Sequence, residues 1–356
     1  MQISNPNNLR PRSKNNIMGA QRLSEAKLLF LAFPVLAIII VSGCTAGNTV
    51  SGNGVSVKEF SPDFSEVYSG EQVTFRLLLK NEGSVDAKGV HAELLGLDED
   101  WCTKDGTQCG SSAGGRLENW PNEAECVYGG TGFTMIAPNP LQGTSGDSHA
   151  CTWTYTAPPL SKGFTITYTP IVRVFYPYKS GVTKLITFGS SAEMRRIQDS
   201  GGKLPAETAA STSSPVQLAI ETKGPIRFSG DRVAFPLEIT ITNVGSGAPC
   251  STGAANQDSM QEACKATVSG EDAKNKVTLK VTLDKQMKIM DQECQALTSG
   301  KTISLYKGQN ALVCDIEASG LTDAPTQKTL QAEAFYEYFT DTSSSVKVTG
   351  RREPGS

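Results

Sequence analysis

Residues 69–83 read Ser-Gly-Glu-Gln-Val-Thr-Phe-Arg-Leu-Leu-Leu-Lys-Asn-Glu-Gly, and residues 229–245 read Ser-Gly-Asp-Arg-Val-Ala-Phe-Pro-Leu-Glu-Ile-Thr-Ile-Thr-Asn-Val-Gly. Both open with Ser-Gly-acid and then alternate: Val73, Phe75, Leu77 and Leu79 in one, Val233, Phe235, Leu237, Ile239 and Ile241 in the other. A period of two places one side-chain set on a buried face and the other in water, which predicts half-buried β-strands. Both end in Asn-x-Gly (Asn81-Glu82-Gly83, Asn243-Val244-Gly245), where Asn bonds back to the backbone and Gly supplies a positive φ, so a turn follows.

Working outward, the flanks repeat as well. A short strand precedes each stretch (Val55–Val57; Val216–Ile220), and another follows it (Val90–Leu94; Val277–Leu283). Later come a strand carrying a cysteine (Cys151–Tyr155; Leu312–Ile316), an aromatic strand (Val172–Tyr178; Ala334–Phe339) and a closing strand (Lys184–Phe188; Val346–Val348). About seven strands at this spacing predict an all-β chain of two immunoglobulin-like β-sandwich domains, 55–188 and 216–350. Pro236 marks its strand as an edge or a bulge. Residues 189–215, rich in Ser, Thr and Gly with few large apolar side chains, read as a linker. One short helix is expected within 256–267.

Before the domains, residues 28–41 form an apolar run of the length of a secretory h-region, with Arg22 and Lys27 ahead of it. Val41-Ser42-Gly43-Cys44 then resembles a lipobox, with Cys44 as the lipid attachment residue. Residues 1–44 are thus a signal peptide with lipobox or an uncleaved N-terminal anchor helix, a pilin-type signal being a third reading, and 45–54 a flexible linker. Every version exports residues 55–356. The body after Cys44 carries 28 basic and 35 acidic residues. That excess of acid gives no electrostatic footprint for nucleic acid.

Eight further cysteines fall four to each half, without a CxxC pair, as structural disulfides do in an oxidising compartment. Four cysteines allow three connectivities; matching the two copies favours Cys126–Cys151, Cys294–Cys314, Cys102–Cys109 and Cys250–Cys264. Zinc is the rival, but His91 and His149 are not spaced for it. No metal or cofactor is expected.

The opening and its Asn-x-Gly turn, Val67–Gly83 continuing to Leu97 and more loosely Phe228–Gly245, resemble the CARDB-type family of cell-adhesion-related immunoglobulin-like modules. The resemblance covers the first third of each domain and implies spacer, adhesion or assembly units. The cysteine-bearing insertions 98–150 and 246–275 depart from the family. The chain as a whole looks like archaeal envelope proteins, which implies an archaeal lipid anchor.

Asp98, Asp100 and Asp105 form a calcium candidate, although their spacing is not that of an EF-hand. Trp101 and Trp120 are candidates for a sugar platform, while Trp153 alternates with Cys151 and belongs to a core. Asp147-Ser148-His149 holds the residue types of a hydrolase triad, but adjacent residues cannot converge as one; no catalytic residue is expected. The aromatic strands fit an inter-module contact or, in the favoured reading, one wet tyrosine face. No Asn-x-Ser/Thr acceptor occurs; Thr208–Ser214 is a compositional candidate for O-linked sugar. The expected function is a non-catalytic structural or interaction protein (adhesion, envelope scaffold or stalk) at the outer face of the membrane. It would be held through its N-terminus, with other envelope proteins or its own copies as partners. The alternative is an extracellular ligand-binding module for sugar or calcium, using 98–150.

Overall fold

The computed structural model describes residues 54–97, 101–103, 126, 132–265, 267–268 and 271–351. The expected signal or anchor segment and Cys44 lie outside them. Among the described residues no helix is long and apolar enough to cross a membrane.

The chain is all-β, and the repeated plan is there. In the first half a four-stranded sheet runs in the order Val55–Pro62, Gln72–Asn81, Ser148–Thr156, Cys102–Thr103. In the second half its counterpart runs Val216–Glu221, Arg232–Asn243, Gln309–Ser319, Met287–Ile289. The quoted stretches are the inner strands of these sheets, and their alternating apolar residues are buried: Val73, Phe75, Leu77 and Leu79 all have 0% exposure. Pro236 pairs with Asp315 on one side, while pairing on the other side stops at Glu238. The missing N–H therefore sits where one flank of the strand is already an edge.

The two halves differ from the expected tandem in how they are joined. Both small sheets pack on one sheet that they share, ordered Lys301–Ser304, Lys276–Leu283, Thr326–Ser343, Ile171–Ser190, Ala87–Leu95, Phe133–Met135. At its centre Ile171–Ser190 and Thr326–Ser343 pair antiparallel without a break, from Ile171↔Ser343 to Phe188↔Thr326. The expected aromatic strand 172–178 and closing strand 184–188 are therefore one continuous strand.

The closing strands cross over. Residues 188–190 pair in parallel with Ile226–Phe228 of the second half, and Phe188 packs on Phe235 at 5.6 Å between ring centroids. Reciprocally, Val346–Thr349 pairs in parallel with Glu66–Tyr68 and antiparallel with Thr165–Tyr168 of the first half, burying Val346 and Val348 completely. Each half closes on a strand supplied by the other, and the apolar residues of both form one continuous cluster.

Residues 189–215 are not a loose linker. Ser190 caps a helix, Ser191–Asp199, by accepting from the Glu193 N–H at 3.2 Å. Ala209–Ser211 adds to the shared sheet against Val182–Lys184. Glu207 reaches Lys184 at 3.3 Å and accepts from the Thr187 N–H and the Thr222 hydroxyl. The segment is poor in large apolar residues because it is held by backbone pairing and polar side chains, which composition does not register. The expected helix within 256–267 is reduced to two 3₁₀ turns, Asp258–Met260 and Ala263–Lys265.

Candidate functional site

Four tyrosines meet at the middle of the ladder between the two long strands: Tyr178 faces Tyr336 and Tyr176 faces Tyr338. All four are buried, with exposures of 0–2%. Ring centroids lie 5.7 Å apart for Tyr176–Tyr338 and 6.4 Å for Tyr178–Tyr336. This corrects the reading of a wet tyrosine face: the strands are not at a surface, because each is covered by the other half.

Three of the hydroxyls accept from backbone. Tyr336 accepts from the amide of Val216 at 3.4 Å, so the second half's first strand is pinned at its start. Tyr178 accepts from Val85 N–H at 3.3 Å and Tyr338 from Gly247 N–H at 2.8 Å, four residues beyond Asn81 and Asn243 respectively. The two asparagines complete the pattern: Asn81 Nδ2 donates to Val85 O at 3.0 Å, and Asn243 Nδ2 to Gly247 O at 2.8 Å. Burial pushes all four phenols up, Tyr338 to about 12, so they stay neutral.

The opposite face of the shared sheet carries Phe175, Phe335 and Phe339, and the insertion after Asn243 covers it with Ala248, Met260, Ala263 and Ala273. The Cys250–Cys264 disulfide loops this insertion, and Gln257 ties it to the first half by donating to Asp86 O at 2.9 Å and Pro177 O at 3.0 Å. Beneath it lies Glu337, fully buried, accepting from the backbone N–H groups of Glu262 at 3.0 Å and Cys264 at 2.7 Å. Desolvation raises its carboxyl to about 7, against those two bonds. His91 Nε2 lies 4.0 Å from Glu337, with Nδ1 2.8 Å from Gly89 O and the ring stacked on Phe175. Burial is the largest cause lowering His91 to about 4. Near neutrality the contact is thus between a neutral imidazole and a carboxyl, not an ion pair.

Three disulfides join expected partners: Cys126–Cys151, Cys250–Cys264 and Cys294–Cys314. Cys102 is disulfide-bonded as well, and Cys109 lies outside the described residues. So do Asp98, Asp100, Asp105 and Trp120. Trp101 is not a binding platform. It has 0% exposure and sits edge-on to Tyr168 at 5.3 Å, because the strand that follows it, Cys102–Thr103, closes the first small sheet against Tyr155 and Thr156. Trp153 is buried beside Cys151. In Asp147-Ser148-His149, Asp147 accepts from Ile136 N–H at 2.9 Å while the His149 ring stacks on Phe133 at 3.8 Å, so each side chain has its own local partner. His149 also corrects the spacing argument against metal, because it shares a strand with Cys151, which the disulfide joins to Cys126, and one ligand atom from each of the three lies within 4.8 Å of the others.

The seam residues were legible one by one but not as a site: nothing in the pattern says that two aromatic strands of one chain pair with each other. The repeated offset of four residues from Asn81 to Val85 and from Asn243 to Gly247 is the signal that was available.

No protein-family model and no curated protein matches the sequence. Solved structures to which the chain is similar include two adhesins. One is the Enterococcus faecalis MSCRAMM ACE, described as binding its ligands by the collagen hug model, at 8% identity, 83% of this chain, 95% of that one and a TM-score of 0.11. The other is the collagen adhesin (CNA) from S. aureus, at 9% identity, 85% and 94% coverage and a TM-score of 0.08.

Proposed function

We propose that the chain is a non-catalytic structural or interaction protein, held at the outer face of a membrane through its N-terminus and presenting its two sandwiches as one rigid body. The observation that carries this reading is the reciprocal exchange of closing strands. Independent tandem modules move about their linker. Here a shared sheet, two crossed strands and an insertion bonded to both halves oppose such movement, as suits a spacer or scaffold unit. The polar groups of the seam support it: the hydroxyls of Tyr178, Tyr336 and Tyr338 and the Glu337 carboxyl are spent on backbone donors of the protein itself. The lipobox-like Val41–Cys44, the basic residues ahead of the apolar run and the resemblance to CARDB-type modules point the same way.

Cross-linking mass spectrometry on intact host membranes tests the proposal. Links from residues 55–350 to copies of the same chain are expected. Dominant links to one different envelope protein would recast the chain as a subunit of that partner and end the scaffold reading. For the anchor, recovery of an unmodified peptide spanning residues 40–50 from membranes would rule out lipidation at Cys44.

A further inference from the structure

The disulfides Cys126–Cys151 and Cys294–Cys314 hold matching places in the two halves. Cys151 pairs across the sheet with Leu77 and Cys314 with Leu237, each six residues beyond the acid of its Ser-Gly-acid opening. The Cα–Cα spans are 6.1 and 6.0 Å. The residue two positions earlier shares the face of the cysteine in a strand, and there the halves differ: His149 stands opposite Leu79, while Leu312 stands opposite Ile239. His149 Nε2 is buried and has no hydrogen-bond partner among the described residues. Leaving a ring nitrogen dry costs stability that the leucine of the other half avoids, so the imidazole calls for an explanation beyond packing.

Its surroundings offer one. The two sulfurs and the imidazole lie within 4.8 Å of one another. Two thiolates and a neutral imidazole suit a thiophilic d¹⁰ ion in a tetrahedral site. We propose that Cys126, Cys151 and His149 form a reduction-gated zinc site, with water as the fourth ligand. A dithiol reductant delivers two electrons and two protons to the S–S bond, becoming a cyclic disulfide itself and leaving two thiols. Zinc then displaces both thiol protons to solvent and binds the two sulfurs and Nε2. Closed, the pair is a staple like its counterpart; open, it takes a metal that its counterpart does not.

The counterpart is the internal control. The full chain is reduced with a phosphine, with and without zinc chloride, and the alkylation rate of each cysteine is read by peptide mass spectrometry. Zinc slows alkylation at Cys126 and Cys151 on the order of tenfold or more by masking the thiolates, and leaves Cys294 and Cys314 unchanged. His149→Leu removes the protection, and Leu312→His confers it on the second pair, a gain that misfolding cannot imitate. Equal protection at both pairs, protection that survives His149→Leu, or no protection at all would each overturn the proposal.

Discussion

At the scale of single residues, the molecule holds two buried titratable groups that oppose each other. Glu337 keeps its proton up to about pH 7 when folded, but loses it near 4.5 when unfolded. As pH rises across that window the folded state binds more protons than the unfolded one, so stability falls. His91 is depressed from 6.5 to about 4. As pH rises from 4 to 6.5 the unfolded state binds more protons, so stability rises. Each window corresponds to roughly 3 kcal/mol, and the two cancel where they overlap. The wild type should thus be flat between about pH 4.5 and 6.5. Glu337→Gln should become more stable toward pH 6.5 and His91→Gln less stable, read by urea midpoints across pH. Parallel slopes in the two variants would refute the assignment. Asn81 was readable from the sequence as a turn residue. Its second bond, from Nδ2 to Met135 O at 2.9 Å, was not, because Met135 is 54 positions away. Replacing this fully buried side chain by Ala leaves carbonyls without donors, and a loss of about 2–3 kcal/mol is expected in thermal or urea unfolding.

At the scale of elements, local patterns were legible and pairings were not. Period-two alternation located the inner strands of both small sheets, and the Asn-x-Gly signal located their ends. It could not show that Ile171–Ser190 continues unbroken through Lys179 and Gly181, since the buried position between them is Ser180, which carries no apolar signal. Nor could it show that the Ser/Thr-rich 208–214 stretch contributes a sheet strand, because backbone pairing has no apolar signature. The insertion looped by Cys250–Cys264 covers Phe175, Phe335 and Phe339. The Cys250→Ser, Cys264→Ser double variant should cost about 2–4 kcal/mol. It should also speed amide exchange at 337–339, whose strand pairs with Ala248–Cys250. An unchanged exchange rate there would mean that the insertion stays seated without its staple.

At the scale of the whole molecule, two repeats were visible in the sequence and their mutual completion was not, because which of two edges a closing strand joins is a long-range choice. A truncation after Ser344 tests that choice. Removing Val346–Thr349 should raise hydrogen exchange at Glu66–Tyr68 and Thr165–Tyr168, far away in sequence, while Ile226–Phe228 of the neighbouring half stays protected. Loss of protection in the second half instead would mean that each sandwich closes on its own strand. The crossing also sets a timetable for biogenesis. A chain made from its N-terminus delivers the first sandwich first, yet the strand that seals its edge is made last. Until residues 346–349 arrive, the edges at 66–68 and 165–168 have no strand between them, and such edges invite pairing with other chains. The half that emerges first finishes last, so the newborn protein needs either rapid completion or a companion to shield those edges.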